Sequence, residues 1–174
     1  MPASRFVERL NEQVGHELAA HNQYVACAVH YDAMTMPQMA AHFYAQALEE
    51  RSHAMMMVRY LLDTDADAAI PAIAAPVSSF PDVVAPVELA LEQEKRVTGQ
   101  INDLLVIARE ESDFASEQFL QWFIKEQVEE IATMSDLLTV VARNIADIEN
   151  IEEYVAREQG GGETDSGAPR VAGG

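Results

Sequence analysis

Glu50 and His53 stand three residues apart in Ala45 to Leu62, a stretch free of glycine and proline whose apolar residues recur at helical spacing. On a helix, residues three apart project a carboxylate oxygen and an imidazole nitrogen toward one point, which is how bundles of helices hold iron or manganese. Taken alone, the spacing is common and fits a surface Glu–His pair. Its setting is more specific. The residues 7 and 11 positions before and after Glu50 lie within about 20° of it on a helical wheel, and they are Met39, Phe43, Met57 and Leu61. Glu50 is therefore centred in an apolar stripe. The same framing recurs around Glu17, with Phe6, Leu10, Tyr24 and Ala28, and around Glu130, with Phe119, Phe123, Leu137 and Val141. Around Glu94 it is made by Val87, Ile101 and Leu105, joined by Val83 if that helix begins early. Glu126 and Gln127 lie one turn before Glu130 on nearly the same face.

Four carboxylates facing one core require a counter-charge. An isolated ionised carboxylate out of water costs several kcal/mol, and a second beside it costs more. Arg51, Lys95, Arg96 and Lys125 all lie about 100° or more off the central faces of their helices. Protonation would serve one or two of the four. Two divalent cations account for the whole set, with an oxygen-rich shell and a single nitrogen that suit iron(II) or manganese rather than structural zinc. Tyr24 on the Glu17 stripe is either core packing or a hydrogen-bond or electron donor beside the metals. His16, His21, His30 and His42 are expected to be solvated or at interfaces. Met55, Met56 and Met57 should fill core and contact surfaces, and Cys27 should pack as a small apolar residue.

These residues need long helices to position them. Ser4 to Ala33 reads as one helix interrupted only by Gly15, and Thr35-Met36-Pro37 breaks it before a second that ends near Asp63. Residues 64 to 86 hold prolines at 71, 76, 81 and 86 among Thr, Asp, Ala and Ser, which predicts a loop. Extended, it spans on the order of 60 Å at about 3.3 Å per residue, against about 40 Å for the second helix at 1.5 Å per residue. It is long enough to cross the bundle, so the third helix can run parallel to the second. That helix should start between Asp82 and Val87 and end near Ser112, with Ser112-Asp113 offering caps for a fourth from Phe114 to Asn144. A short fifth, Asp147 to Glu158, carries Ile148, Ile151 and Val155 on an apolar face that is expected to bury itself against copies of the chain. The fold class is all-α, a four-helix bundle with a long crossover between helices 2 and 3 and a short fifth helix.

The 174 residues suit one domain, 1–159, followed by a Gly-rich tail, 160–174, that is expected to be disordered. A net charge of −18 disfavours nucleic acid and anionic membrane and favours cations. One cysteine and no basic-then-apolar start point to the cytoplasm. No apolar run approaches the roughly 20 residues of a membrane span.

His16-Glu17 with Tyr24, the segment QMAAHFYAQALEERSHAMMM from Gln38 to Met57, Glu94, and EQFLQWFIKEQVEE from Glu117 to Glu130 together resemble the bacterial non-haem ferritins, closely those of actinobacteria. The similarity runs to about Glu158 and implies a ferritin-like topology. It implies one iron position at Glu17, Glu50 and His53 and a second at Glu50, Glu94 and Glu130, with Glu50 bridging and Gln127 beside them. A third position resembles Glu49, Glu126, Glu129 and Glu130. At the family's three-fold pore, Glu117 resembles one acidic ring and Leu120 stands at the place of the second. Bacterioferritins differ by a second E-x-x-H, where Gln127 and Glu130 stand here, and by a haem-ligating methionine, where Arg51 stands, so no haem is expected.

What the resemblance implies is ferroxidase activity. Ferrous iron would be oxidised at a dinuclear site by dioxygen or peroxide and stored as ferric mineral inside a 24-subunit shell. The alternative is a diiron peroxidase or other diiron redox protein, which would usually bring an electron-transfer module such as paired CxxC motifs, and one cysteine cannot supply it.

Overall fold

Helix breakers and caps set the elements. In a computed structural model describing residues 2–158 and 167–173, α1 runs Ser4–Ala33, α2 Pro37–Asp63, α3 Ala85–Glu110, α4 Phe114–Arg143 and α5 Ile148–Glu158. Pro37 and Pro86 occupy the first turns of α2 and α3, where a missing N–H is not needed. Asp113 caps α4, accepting from the Ser116 N–H at 3.1 Å and from its hydroxyl at 2.6 Å. The first three helices stop on left-handed residues that are not glycine: Thr35 (φ 60°), Asp65 (φ 56°) and Ser112 (φ 54°). The next N–H in each case reaches back to the carbonyl of Tyr31, Leu61 or Ala108, which satisfies a carbonyl of the last turn.

Two apolar clusters fill the bundle and fix the direction of every helix. One gathers Tyr24 and Tyr31 of α1, Met39 and Phe43 of α2, Val87 of α3, and Met134 and Val141 of α4. The other gathers Phe6 and Leu10, Met57 and Leu61, Ile101 and Leu104, and Leu120 and Phe123. The N-terminal halves of α1 and α4 thus share an end with the C-terminal halves of α2 and α3. Consecutive helices α2 and α3 are parallel, and the chain between them travels the length of the bundle as the sequence predicts. Of the residues expected on central faces, Leu105 and Phe119 are only half-buried. Val83 is buried although α3 starts after it, because the bend before the helix turns it inward and the Tyr31 hydroxyl holds its carbonyl at 2.8 Å.

The crossover lies along one row of α1, on residues four apart. Asn11 accepts from the Ala69 N–H at 2.6 Å and donates to the Asp67 carbonyl at 2.9 Å. Gln23 holds both backbone groups of Val77, at 2.8 and 2.9 Å. Between these amide clamps Pro71 lies on Gly15, where a Cβ would come within 2.5 Å of the proline Cγ. The glycine that interrupts the first helical pattern is thus the seat of the strap.

The fifth helix departs from expectation. Ile151 and Val155 are buried in this chain's own core and so are not waiting for copies of themselves, whereas Ile148 at the start of the same face is exposed. The Glu152 carboxylate accepts from the backbone N–H groups of Gln38 and Met39 at 2.8 and 2.9 Å, a cap on the N-terminus of α2 that docks α5 there. Within the tail expected to be disordered, residues 160–166 and 174 lie outside the described residues. Residues 167–173 make defined contacts with α2: the Ala172 N–H donates to the Met55 carbonyl at 3.1 Å, and Arg170 pairs with Asp63 at 2.6 Å.

Two histidines expected to be solvated or at interfaces serve as ties instead. His21 Nδ1 lies 2.6 Å from the Ala47 carbonyl, and His30 Nε2 lies 3.2 Å from that of Asp82. His42 is held down to about 4 by burial. Met56, Met57 and Cys27 are buried as predicted, and burial pushes the Cys27 thiol up to about 12. Among the described residues no helix is long and apolar enough to cross a membrane.

Candidate metal centre

Between the two clusters lies a polar layer to which each long helix contributes. Glu17 from α1 and Glu50 and His53 from α2 bring one ligand atom each within 4.8 Å of one another. Glu50 Oε2 stands 3.6 Å from His53 Nδ1, and the imidazole edge packs on Trp122 and Phe123, with ring centroids 5.5 and 5.8 Å away. Gln13 Nε2 donates to Glu17 Oε1 at 2.8 Å, whereas Glu17 Oε2 is buried without a partner. The Glu50 carboxylate lies close to the Glu17 carboxyl and raises it. Ionised carboxylates only accept, so two facing oxygens need a proton or a cation between them.

Glu94 from α3 and Glu130 from α4 are buried on the other side of Glu50. The Tyr24 hydroxyl donates to Glu94 Oε1. Gln127 Nε2 lies 3.2 Å from Glu94 Oε2 and 3.2 Å from Thr98 Oγ1. Burial is the largest influence on all four carboxyls and raises each of them. Repulsion from Glu94 raises Glu50 and Glu130 further, while the Tyr24 and Gln127 hydrogen bonds draw Glu94 back down. The Tyr24 phenol is itself pushed well up by burial and by the neighbouring Glu94 carboxylate.

The structure thus brings Glu17, Glu50, His53, Glu94 and Glu130 into one layer with Tyr24 and Gln127 against it. Glu49 and Glu126 border it, close enough that each repels Glu130, and Gln46 donates to Glu49. Glu129 is set apart: its side chain is 64% exposed, with Lys125 Nζ at 3.8 Å. Of the pore residues, Glu117 accepts from Arg109 Nε at 2.8 Å. Leu120 is fully buried in the core, so that position faces the bundle and no pore wall. Gln13, Thr98 and Trp122 were not singled out by sequence reasoning. The signal for the first two is spacing, since Gln13 stands one turn before Glu17 and Thr98 one turn after Glu94.

The layer fits divalent metal. Arg51 and Arg96 are exposed, Lys95 pairs with Glu92 at 2.8 Å and Lys125 lies near Glu129, so none of these four cations is buried in the set, although Arg96 draws Glu94 down from a distance. Acceptor oxygens in excess, one imidazole and an orphaned carboxylate oxygen are what a hard to borderline cation would satisfy.

Comparison with known proteins gives a consistent picture. The ferritin-like domain family matches residues 7–144. The chain is 47% identical over 171 residues to ferritin BfrB of Mycolicibacterium smegmatis, covering 98% of this chain and 94% of that protein. It is 34% identical over 160 residues to the bacterial non-heme ferritin of Staphylococcus aureus, covering 92% and 96%. An open pore ferritin from the hyperthermophilic archaeon Archaeoglobus fulgidus matches with a TM-score of 0.86 at 28% identity, over 90% of this chain and 97% of that one. Chlorobium tepidum ferritin matches with a TM-score of 0.80 at 31% identity, over 91% and 96%.

Proposed function

The chain belongs to the ferritin family, and from that premise we propose that it is an iron-storing ferroxidase that takes two ferrous ions as substrate in the polar layer. The observation that carries this reading is the buried set of four glutamates and one histidine with no basic side chain among them. Glu17, Glu50 and His53 hold one ion and Glu50, Glu94 and Glu130 the other, so Glu50 touches both. Each ferrous ion gives up one electron. Dioxygen takes two electrons and two protons to become hydrogen peroxide, and peroxide takes two of each to become water. Binding the ions displaces protons from the raised carboxyls, because ligation requires the ionised form.

Other side chains orient the ligands. Gln13 fixes Glu17, and the Tyr24 hydroxyl and Gln127 amide fix Glu94. Glu49, Glu126 and Glu129, with Glu130, form a further acidic site that passes ferric product toward a mineral. The container is a 24-subunit shell in the cytoplasm, and the acidic excess draws cations into it. Arg51 stands where a haem ligand would be needed, and a cation cannot ligate iron.

Stopped-flow absorbance of ferrous iron mixed with oxygen tests the assignment. Glu50→Ala should abolish rapid oxidation with the shell intact, while Glu130→Ala should weaken one position and leave the other occupied. A Glu50→Ala protein that oxidises two irons per subunit as fast as the parent would place the site elsewhere.

A further inference from the structure

A cleft of about 330 Å³ opens between α3 and α4 and reaches the polar layer from the side. Ile101, Ile124, Val128 and Ile131 make most of its wall, Thr98, Asn102 and Gln127 are its polar members, and no charged residue lines it. Val128, 67% exposed, stands at the mouth, and Ile101 is buried inside. Gln127 is shared by the cleft and the layer: it lines the one, and its amide lies 3.2 Å from Glu94 Oε2 in the other. A single side chain therefore separates an apolar passage from a carboxylate of the second iron position. A different cleft, between α1, α3 and the crossover, is lined by His16, Gln93, Arg96 and Gln100 and is polar.

We propose that the α3–α4 cleft is the dioxygen port of the oxidation site, an inference that rests on the ferroxidase reading and adds to it the class of oxidant. The selection is by solvation. A hydrated ferrous ion entering walls that are mostly isoleucine and valine loses its water shell with only the neutral side chains of Thr98, Asn102 and Gln127 in exchange until Glu94. Hydrogen peroxide loses hydrogen bonds that these walls replace only in part, since Thr98 and Gln127 already bond each other and Glu94. Dioxygen makes no strong hydrogen bonds in water, so it forfeits little on entry and gains dispersion contacts, as xenon does in dry apolar cavities. Iron and oxidant thus arrive by separate routes.

Val128→Trp narrows the mouth from an exposed position without disturbing the core, and Ile124→Trp narrows it from the α4 side. Both are read on the assembled full-length protein. Expected for each variant is a fall of at least three-fold in the initial rate of iron oxidation at sub-saturating dioxygen. The rate with hydrogen peroxide under argon, the anaerobic ferrous binding stoichiometry and the native mass should match the parent. Equal falls with both oxidants, no fall with dioxygen, or an altered native mass, which would make the cleft an interface between copies, each overturn the port. Xenon pressurisation of parent crystals gives a readout independent of turnover: xenon seated against Ile101 and Ile131 supports the port, and an empty cleft overturns it. A parent that binds xenon there yet oxidises no iron would instead sink the ferroxidase reading.

Discussion

Raising the pH of the metal-free protein should destabilise it through the buried layer, and Glu50→Gln should remove much of that effect. Burial raises the Glu17, Glu50, Glu94 and Glu130 carboxyls above the ordinary range. A carboxyl whose native pKa exceeds its unfolded value contributes stability that is complete below the unfolded pKa, about 4.3, and is lost as pH rises through the native one. Between those limits, each proton kept by the fold but not by the unfolded chain removes about 1.4 kcal/mol per pH unit. Glu17 and Glu50 are the pair expected to share one, because burial and then the neighbouring Glu50 raise the Glu17 carboxyl and its Oε2 is buried without a partner. Each pH unit over which the fold keeps one such proton therefore amounts to about 1.4 kcal/mol, or roughly 3–6 °C in Tm for a chain of this length. Calorimetry of metal-stripped protein at several pH values measures it. The many surface acids also repel one another more as pH rises, so the difference in slope between parent and Glu50→Gln is the informative quantity. Saturating manganese(II) should oppose the trend, since the cation displaces those protons. Equal slopes in parent and variant would refute a protonated Glu17–Glu50 pair.

Alanine favours a helix by about 1 kcal/mol over glycine, but Gly15→Ala should gain nothing in urea midpoint, because its Cβ meets Pro71 and overpacking costs about 1–3 kcal/mol. The double variant Gly15→Ala with Pro71→Ala should recover the helical gain. Glu152→Ala should lose about 1 kcal/mol with its cap and speed hydrogen exchange in α5 before any other helix. Tyr24→Phe should keep the fold and weaken the second of two ferrous ions by about ten-fold or more in anaerobic titration, the worth of one hydrogen bond to a charged group.

The four long helices and their directions were legible because periodicity and proline placement are local, and because the length of residues 64 to 86 decides what the crossover can reach. The central glutamates were legible for the same reason: a charge framed by apolar residues a whole number of turns away has one place to go. What was hidden is what depends on neighbours from other elements. Nothing in the α5 sequence says that Glu152 finds the N-terminus of α2 or that Ile151 and Val155 find a core. Gly15 reads as a weak point in a helix until Pro71 is seen above it. The helix ends near Thr35, Asp63 and Ser112 were legible, but the left-handed turns at Thr35, Asp65 and Ser112 were not, since no glycine announces them. Glu49 and Glu129 are both exposed on the single chain, so their part in a further acidic site could be suggested by resemblance and not by an apolar frame.

A core cut in two by a charged layer transmits unfolding poorly. The cluster around Phe43 and the cluster around Met57 are joined within the bundle by carboxylates that repel one another unless protons or cations separate them. Emptied of metal near neutral pH, the two halves are free to open as distinct cooperative units, since each holds its own apolar contacts and the boundary holds few. With ions held as proposed, Glu50 and His53 at the middle of α2 would be tied through one ion to α1 and through the other to α3 and α4, and the halves would melt together. Iron would then act on this protein as cargo and also as the coupling that makes a single cooperative fold.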